Sequence, residues 1–129
     1  MLLARSKYKI LVIEDDLVFR RSLSKALSKN NYNVFVASSY EEASELCDQM
    51  HFHLVIIDIR YSNKAGLDCQ QRLRVLHPET KLIIISTFNR VEFEKKFLTR
   101  DFDAYLMKPV KRVELLKTVR RTLMQLPTI

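Results

Sequence analysis

Two alternating patterns of hydrophobic and polar residues run along the chain. Five short, mostly aliphatic runs are typical of buried strands, and we predict strands at KILVIE (9–14), NVFVA (33–37), HLVIID (53–58), KLIIIS (81–86) and DAYLM (103–107). Between them, apolar residues recur three or four positions apart, which indicates amphipathic helices. Strands and helices therefore alternate from one end of the chain to the other.

The helices are predicted from this spacing and from their boundary residues. The first carries the apolar positions from Phe19 to Leu27, and the second opens with a capping box from Ser39 to Glu42. A third helix, over 67–76, ends before His77-Pro78 because a residue preceding proline disfavours the helical conformation. The remaining helices are predicted over 90–99 and 111–125.

Five strands that alternate with five helices predict an α/β fold class, a doubly wound parallel sheet covered by helices on both faces. No repeat, linker or low-complexity segment interrupts the pattern, so we expect a single domain over residues 1–129. Ligands of such open sheets bind outside the carboxyl ends of the strands.

Composition narrows the choice of protein class. Hydrophobic residues make up 47% and charged residues 29%, a globular balance, and aliphatic runs of four are too short to span a membrane. The N-terminus lacks the apolar segment of a signal peptide. We expect Cys47 and Cys69 to be buried free thiols, which suits a cytoplasmic protein.

The net charge of +7 resides mostly in the second half, where residues 65–129 hold 13 Lys and Arg against seven Asp and Glu. This charge permits binding to nucleic acid or to an acidic partner, but a solvated basic face is the simpler interpretation. Direct nucleic-acid binding would use the basic residues of the last helix, Lys111, Arg112, Lys117, Arg120 and Arg121. The single glycine, Gly66, excludes glycine-rich dinucleotide turns and phosphate loops.

Charged and hydroxyl side chains collect at the predicted strand ends. The first strand runs into Glu14-Asp15-Asp16 and the third ends in Asp58, while Ser86-Thr87 and Lys108 follow the fourth and fifth. Asp16 also suits the start of the following helix. Two like charges about 4 Å apart repel by roughly 4 kcal/mol at an effective dielectric near 20. The cluster therefore calls for a cation or for a carboxylate with a raised pKa. Lys108 neutralises part of the charge, and Mg²⁺, a hard divalent ion bound by oxygen ligands, is the natural remainder.

These motifs together resemble the receiver domain of bacterial two-component response regulators, the chemotaxis-regulator (CheY-like) family. ILVIEDD is similar to its acidic pair after the first strand, LVIID to its phospho-acceptor strand, Ser86 to its switch hydroxyl and YLMKP to its fifth strand. The resemblance covers about residues 8–125. It implies a flavodoxin-like sheet with strand order 2-1-3-4-5 and no output domain in this chain.

The resemblance implies a role for each matching residue. Asp58 would accept a phosphoryl group from a sensor histidine kinase, with Ser86 and Lys108 binding that group. Mg²⁺ would be held by Asp15 and Asp58, by Glu14 through water and by the backbone carbonyl of Arg60. Tyr105 would turn inward when Ser86 moves to the phosphate, and Lys108-Pro109 would be a cis peptide.

The same resemblance implies a signalling switch rather than an enzyme with turnover, acting only through its own phosphorylation and dephosphorylation. The surface of the fourth helix, fifth strand and fifth helix would form a homodimer or contact an effector, with transcriptional regulation as the output. DNA binding by this chain is not expected unless a C-terminal output domain is missing.

Four departures from the family lie near the site. Ser62 and Ala65-Gly66 replace a proline and an Asp-Gly, and Thr87 replaces a smaller residue at the rim. Phe88 either pairs with Arg60 through a cation–π contact or both are solvated. Asp101-Phe102 replaces the usual Gly-Ala before the fifth strand, which affects the signalling face.

Two other functions compete with this interpretation. A phosphatase of the haloacid dehalogenase type requires a second acid two residues after its nucleophile, where this chain has Arg60. A receiver-like module that binds partners without phosphorylation is favoured only by the altered loop and Thr87.

Overall fold

The computed structural model describes residues 4–59, 64–97, 99 and 101–125. Its strands are β1 (Lys9–Ile13), β2 (Asn33–Ala37), β3 (Leu54–Asp58), β4 (Lys81–Ser86) and β5 (Ala104–Met107). Its α-helices are α1 (Leu17–Lys29), α2 (Tyr40–Gln49), α3 (Lys64–Leu76), α4 (Arg90–Phe97) and α5 (Arg112–Leu123). A single 3-10 turn, Arg5–Lys7, precedes β1.

The five strands form one parallel sheet in the order β2-β1-β3-β4-β5, which confirms the predicted fold class and strand order. β2 and β4 have the predicted bounds, while β1, β3 and β5 are each one residue shorter at one end. All strands run the same way, so their carboxyl ends share one edge of the sheet. The residues that follow them are thereby brought together.

The helix boundaries differ from prediction in instructive places. α3 starts at Lys64, three residues earlier than predicted, and ends at Leu76 as the following His77-Pro78 requires. Lys111 is the N-cap of α5, so that helix is shorter than predicted at both ends. α4 was predicted to reach residue 99; its described part ends at Phe97.

The capping box of α2 forms only in part. The Ser39 hydroxyl accepts a hydrogen bond from the backbone N–H of Glu42 at 3.1 Å, as predicted. The Glu42 carboxylate accepts from the backbone N–H and the hydroxyl of Ser38, at 3.2 and 2.8 Å. The return hydrogen bond thus involves the residue before the N-cap rather than the N-cap itself.

Two hydrophobic layers cover the faces of the sheet. Every residue of β3 is buried, and Lys81 is the one partly exposed residue of β4, which explains their unbroken apolar runs. The first layer packs α1 and α5 on one face, and the second packs α2, α3 and α4 on the other. Cys47 and Cys69 are buried free thiols in the second layer, as predicted. Burial raises their pKa to about 11 and about 12.

Phe102, at one of the departures from the family, fills the core beneath α4. Its ring is buried and lies 5.9 Å from that of Phe93 and 5.7 Å from that of Tyr105. Its neighbour Asp101 pairs with Arg74 of α3 at 2.8 Å. The segment before β5 is thus anchored both by apolar packing and by an ion pair. No helix in the described part of the chain is long and apolar enough to cross a membrane.

Candidate functional site

Three carboxylates meet at the carboxyl ends of β1 and β3. Oxygens of Glu14, Asp15 and Asp58 all lie within 4.8 Å of one another. Glu14 and Asp58 are buried, and Asp15 is exposed at the mouth of the site. Asp16 is the N-cap of α1 and accepts hydrogen bonds from the backbone amides at 18 and 19, as its position predicted. Asp16 therefore caps the N-terminus of α1.

Glu14 experiences the strongest electrostatic perturbation in the site. Burial, followed by the neighbouring Asp58 carboxyl, raises its pKa to about 8, although Lys108 opposes the shift. Its Oε1 accepts from the backbone N–H of Asp16 at 3.2 Å. Its Oε2 is buried and has no hydrogen-bond partner among the described residues. Ionising this carboxyl is costly unless a cation or a water bound to one reaches that oxygen.

Lys108 contributes a positively charged ammonium group to the site. Its Nζ lies 3.0 Å from Asp58 Oδ1 and 4.0 Å from Glu14 Oε2. The backbone N–H of Lys108 donates to the Ser86 carbonyl at 2.8 Å, and the predicted cis Lys108-Pro109 peptide is present. The side chain is thus held at the end of β5, facing the acidic cluster.

The charges in this cluster do not balance. Among the described residues, Asp15 and Asp58 against the Lys108 ammonium leave one negative charge, and ionising Glu14, whose pKa is raised to about 8, leaves two. Oxygen ligands with that residual charge match a hard divalent cation that keeps part of its water shell. The orphaned Glu14 Oε2 fits the water-mediated position predicted for it. The residues therefore fit Mg²⁺.

Ser86 and Tyr105 are linked through the backbone of Phe88. Ser86 is fully buried, and its Oγ accepts from the N–H of Phe88 at 3.2 Å. The Tyr105 hydroxyl donates to the Phe88 carbonyl. Burial raises the pKa of Tyr105, while the neighbouring Ser86 hydroxyl opposes the shift. The tyrosine ring is directed inward, 5.2 Å from that of Phe93.

The rim of the site is only partly described. Thr87 is exposed and Phe88 is half-buried, with its ring 6.0 Å from that of Phe97. Arg60 and Ser62 lie outside the described residues, and so do the predicted Arg60 metal ligand and the Arg60–Phe88 pair. Beside the carboxylates opens a cavity of about 180 Å³ whose far wall includes Ser38, Ser39, Tyr40 and Glu41.

Two aromatic residues contact the site and were missed from the sequence. The ring of Phe19, on α1, lies 4.8 Å from Lys108 Nζ in cation–π geometry. The hydroxyl of Tyr40, on α2, donates to the Asp58 carbonyl at 2.9 Å. The apolar spacing indicates only that Phe19 lies on the apolar face of α1, and no local pattern around Tyr40 indicates a contact with β3.

Comparison with known proteins agrees with this geometry. Residues 10–120 match the family model of the response regulator receiver domain. The transcriptional regulatory protein PmrA of Pectobacterium parmentieri is 31% identical over 112 residues, which cover 87% of this chain and 50% of PmrA. The cell cycle transcriptional regulator CtrA of Caulobacter vibrioides is 24% identical over 111 residues, 86% of this chain and 48% of CtrA. The chain thus spans about half the length of these relatives.

A solved structure extends the likeness to three dimensions. The CheY-like response regulator receiver domain protein of Methanospirillum hungatei JF-1 superposes with a TM-score of 0.82 at 26% identity. The alignment covers 92% of this chain and 94% of the other. Since the family model also matches most of the sequence, the chain belongs to the response regulator receiver domain family.

Proposed function

We propose that this chain is a phosphorylation-dependent switch of a two-component system, with Asp58 as the phospho-acceptor. The observation that carries the proposal is the position of the Asp58 carboxylate. It is buried, lies 3.0 Å from Lys108 Nζ and is grouped with the oxygens of Glu14 and Asp15. The receiver unit extends over about residues 8–125.

In the proposed reaction, an Asp58 carboxylate oxygen attacks the phosphorus of a phosphohistidine on a sensor histidine kinase. The P–N bond breaks, its electron pair stays on the imidazole nitrogen and an acyl phosphate forms on Asp58. Asp15 and Asp58, Glu14 through water and the Arg60 carbonyl would hold Mg²⁺, which would neutralise charge on the phosphoryl oxygens. Such a reaction needs positioning and charge stabilisation above all.

Lys108 and Ser86 contribute the protein's own groups to the phosphorylated state. Lys108 already faces Asp58, so it can ion-pair with a phosphoryl oxygen without a large movement. The Ser86 hydroxyl accepts from the Phe88 amide and keeps its own proton for donation to that oxygen. Water attack at phosphorus later breaks the P–O bond to Asp58, which regains its carboxylate as inorganic phosphate is released. These are the only reactions proposed for the chain.

Two hydrogen bonds, from the Phe88 amide to Ser86 and from the Tyr105 hydroxyl to the Phe88 carbonyl, transmit a conformational change at the site to β5. A shift of Ser86 toward the phosphoryl group pulls on the Phe88 amide, and the Phe88 carbonyl holds the Tyr105 hydroxyl. Tyr105 lies in β5, at the centre of the α4–β5–α5 face. Each of these three elements exposes one large apolar side chain. The exposed fractions are 62% for Val91 on α4, 47% for Met107 on β5 and 73% for Val113 on α5. We propose this face for homodimerisation or effector contact.

The output and location are proposed from the relatives. PmrA and CtrA are named as transcriptional regulators, and the match to this chain covers about half the length of each. We propose that the switch acts in the cytoplasm on transcription through an effector or a DNA-binding unit, rather than by binding DNA through the receiver itself.

Phosphotransfer measured by intact mass tests the proposal. The protein is incubated with Mg²⁺ and either acetyl phosphate or a phosphorylated histidine kinase, and a gain of about 80 Da is expected. Asp58→Asn abolishes the gain, while Asp68→Asn, at an exposed position on α3, leaves it intact. Size-exclusion chromatography with beryllofluoride then reports on the dimer.

The inward Tyr105 favours a second candidate, a receiver-like module that binds partners without phosphorylation. A tyrosine already bound to the Phe88 carbonyl presents one fixed signalling face. This candidate predicts no mass gain from either donor and the same oligomeric state with and without beryllofluoride.

A further inference from the structure

Tyr40 contacts the main chain of the phospho-acceptor. It is the first residue of α2, directly after the N-cap Ser39. Its hydroxyl donates to the Asp58 carbonyl at 2.9 Å. The last paired residues of β1 and β3 are Ile13 and Ile57, so Asp58 lies one residue beyond that ladder. The side chain of Tyr40 thus satisfies a carbonyl where the β1–β3 pairing has ended.

Gly66 provides the space that the Tyr40 hydroxyl occupies. A Cβ atom at residue 66 would lie 2.8 Å from the Tyr40 hydroxyl oxygen and 3.2 Å from Cζ. It would also lie 3.3 Å from Cγ1 of Ile59. Gly66 has no positive φ, so its backbone conformation does not require glycine. The only glycine of the chain is needed for a close approach between α3, Tyr40 and the end of β3.

We infer that Tyr40, seated on Gly66, is a positioning residue for phosphorylation that acts through the backbone of Asp58. The inference rests on the proposed function, since it assumes that Asp58 is the reacting residue. The hydrogen bond fixes the peptide after Asp58 and therefore the direction in which its side chain leaves the strand. That direction keeps the carboxylate 3.0 Å from Lys108 Nζ and beside Glu14.

Small displacements at such a site have large consequences for rate. The attacking oxygen must lie in line with the phosphorus, and misplacement by a fraction of an ångström lowers the population of reactive geometries. The Tyr40 hydroxyl itself bonds the carbonyl and takes no part in the proposed transfer. Its loss is therefore expected to slow phosphorylation without abolishing it.

Tyr40→Phe removes only the hydroxyl and tests the inference directly. We expect phosphorylation of Asp58 by acetyl phosphate, at saturating Mg²⁺, to slow by about threefold to tenfold, the effect of one hydrogen bond. The ¹³C′ chemical shift of Asp58 should also move, because that nucleus reports hydrogen bonding to its carbonyl. Tyr32→Phe is the matched control, since Tyr32 is buried at the opposite end of the sheet. It should change neither quantity.

Gly66→Ala provides a second, independent variant. The added methyl displaces the Tyr40 hydroxyl, so phosphorylation should slow and the Asp58 ¹³C′ shift should move in the same direction as in Tyr40→Phe. Because both changes act on one hydrogen bond, the double variant should be no slower than the slower single variant. Rate reductions that multiply in the double variant would contradict the inference.

The outcomes separate this inference from the proposed function. If the wild-type protein gains no phosphoryl group, the proposed function fails and the inference fails with it. If the wild type is phosphorylated and Tyr40→Phe matches it in rate or in Asp58 ¹³C′ shift, only the inference fails. A slower Tyr40→Phe with a moved ¹³C′ shift and a folded fraction equal to that of wild type supports it.

Discussion

The Lys108 ammonium lies 3.0 Å from the Asp58 carboxylate, across the ends of two strands that are not neighbours in the sheet. β4 separates β3 from β5, so the long lysine side chain passes over the end of β4 to reach Asp58. Ser86 ends β4 beneath it. The geometry thus places the Lys108 ammonium where the carboxylates at the ends of β1 and β3 concentrate negative charge.

Lys108→Ala should slow phosphorylation of Asp58 by about a hundredfold or more, the usual effect of removing one preorganised donor from a developing negative charge. The measurement is the initial rate of mass gain with acetyl phosphate at saturating Mg²⁺. Lys111→Ala is the control, because Lys111 is exposed at the N-cap of α5 and makes no side-chain cap. Equal rates for the two variants would contradict the role of Lys108.

Glu14 makes the stability of the protein without Mg²⁺ depend on pH. Its pKa is raised from 4.5 to about 8 in the folded state, mainly by burial. Between these values the folded form keeps a proton that the unfolded form releases, so the free energy of unfolding falls as pH rises from about 4.5 to 8. The stabilisation is fully present below that range.

Urea unfolding with EDTA, at pH 5.5 and at pH 8, measures this effect. We expect a loss on the order of 2 kcal/mol between the two pH values and a much smaller loss in Glu14→Gln. Added Mg²⁺ should restore stability at pH 8 in wild type. A pH slope that Glu14→Gln leaves unchanged would assign the effect to another group.

Tyr105→Phe should separate signalling from phosphorylation. The change removes the hydrogen bond to the Phe88 carbonyl and leaves the Asp58 pocket intact. We expect a phosphorylation rate within about twofold of wild type, because the hydroxyl does not touch Asp58. The size-exclusion response to beryllofluoride should be reduced. Tyr8→Phe, a buried tyrosine before β1, is the control and should respond as wild type does.

Phe19→Leu should remove the cation–π interaction that helps to orient the Lys108 ammonium. The ring lies 4.8 Å from Nζ, and leucine keeps the apolar packing without the cation–π attraction. Loss of an interaction of about 0.5–1 kcal/mol lowers the phosphorylation rate by about twofold to fivefold. Val18→Ala, its exposed neighbour, should have no effect. An unchanged rate in Phe19→Leu would show that the ring does not orient the lysine.

Local patterns predicted the sheet and the residues at its edge. The aliphatic runs of β3 and β4 are themselves typical of buried strands, and Asp58 and Ser86 are the last residues of those strands. Parallel strands then bring these ends together without further information. The convergence of these strand ends was predictable because a parallel sheet places residues that are distant in the sequence at one edge.

Contacts that depend on side-chain packing were not predictable. Tyr40 reaches the Asp58 carbonyl only because α2 packs beside β3, and nothing in SSYEE indicates that contact. The start of α3 was placed too late because Lys64-Ala65-Gly66 offers no apolar spacing and a glycine usually disfavours a helix. Glycine is needed at residue 66 because a Cβ atom there would lie too close to the Tyr40 hydroxyl, and this contact has no signature in the sequence.

The role of Asp58 as phospho-acceptor is tested by the intact mass of the protein after reaction with a phosphorylated histidine kinase and with acetyl phosphate. With Mg²⁺, wild type and Asp68→Asn should each gain about 80 Da, while Asp58→Asn and all EDTA samples should gain nothing. An absence of mass gain from both donors, or an equal gain in Asp58→Asn, would contradict the assignment of Asp58 as the phospho-acceptor.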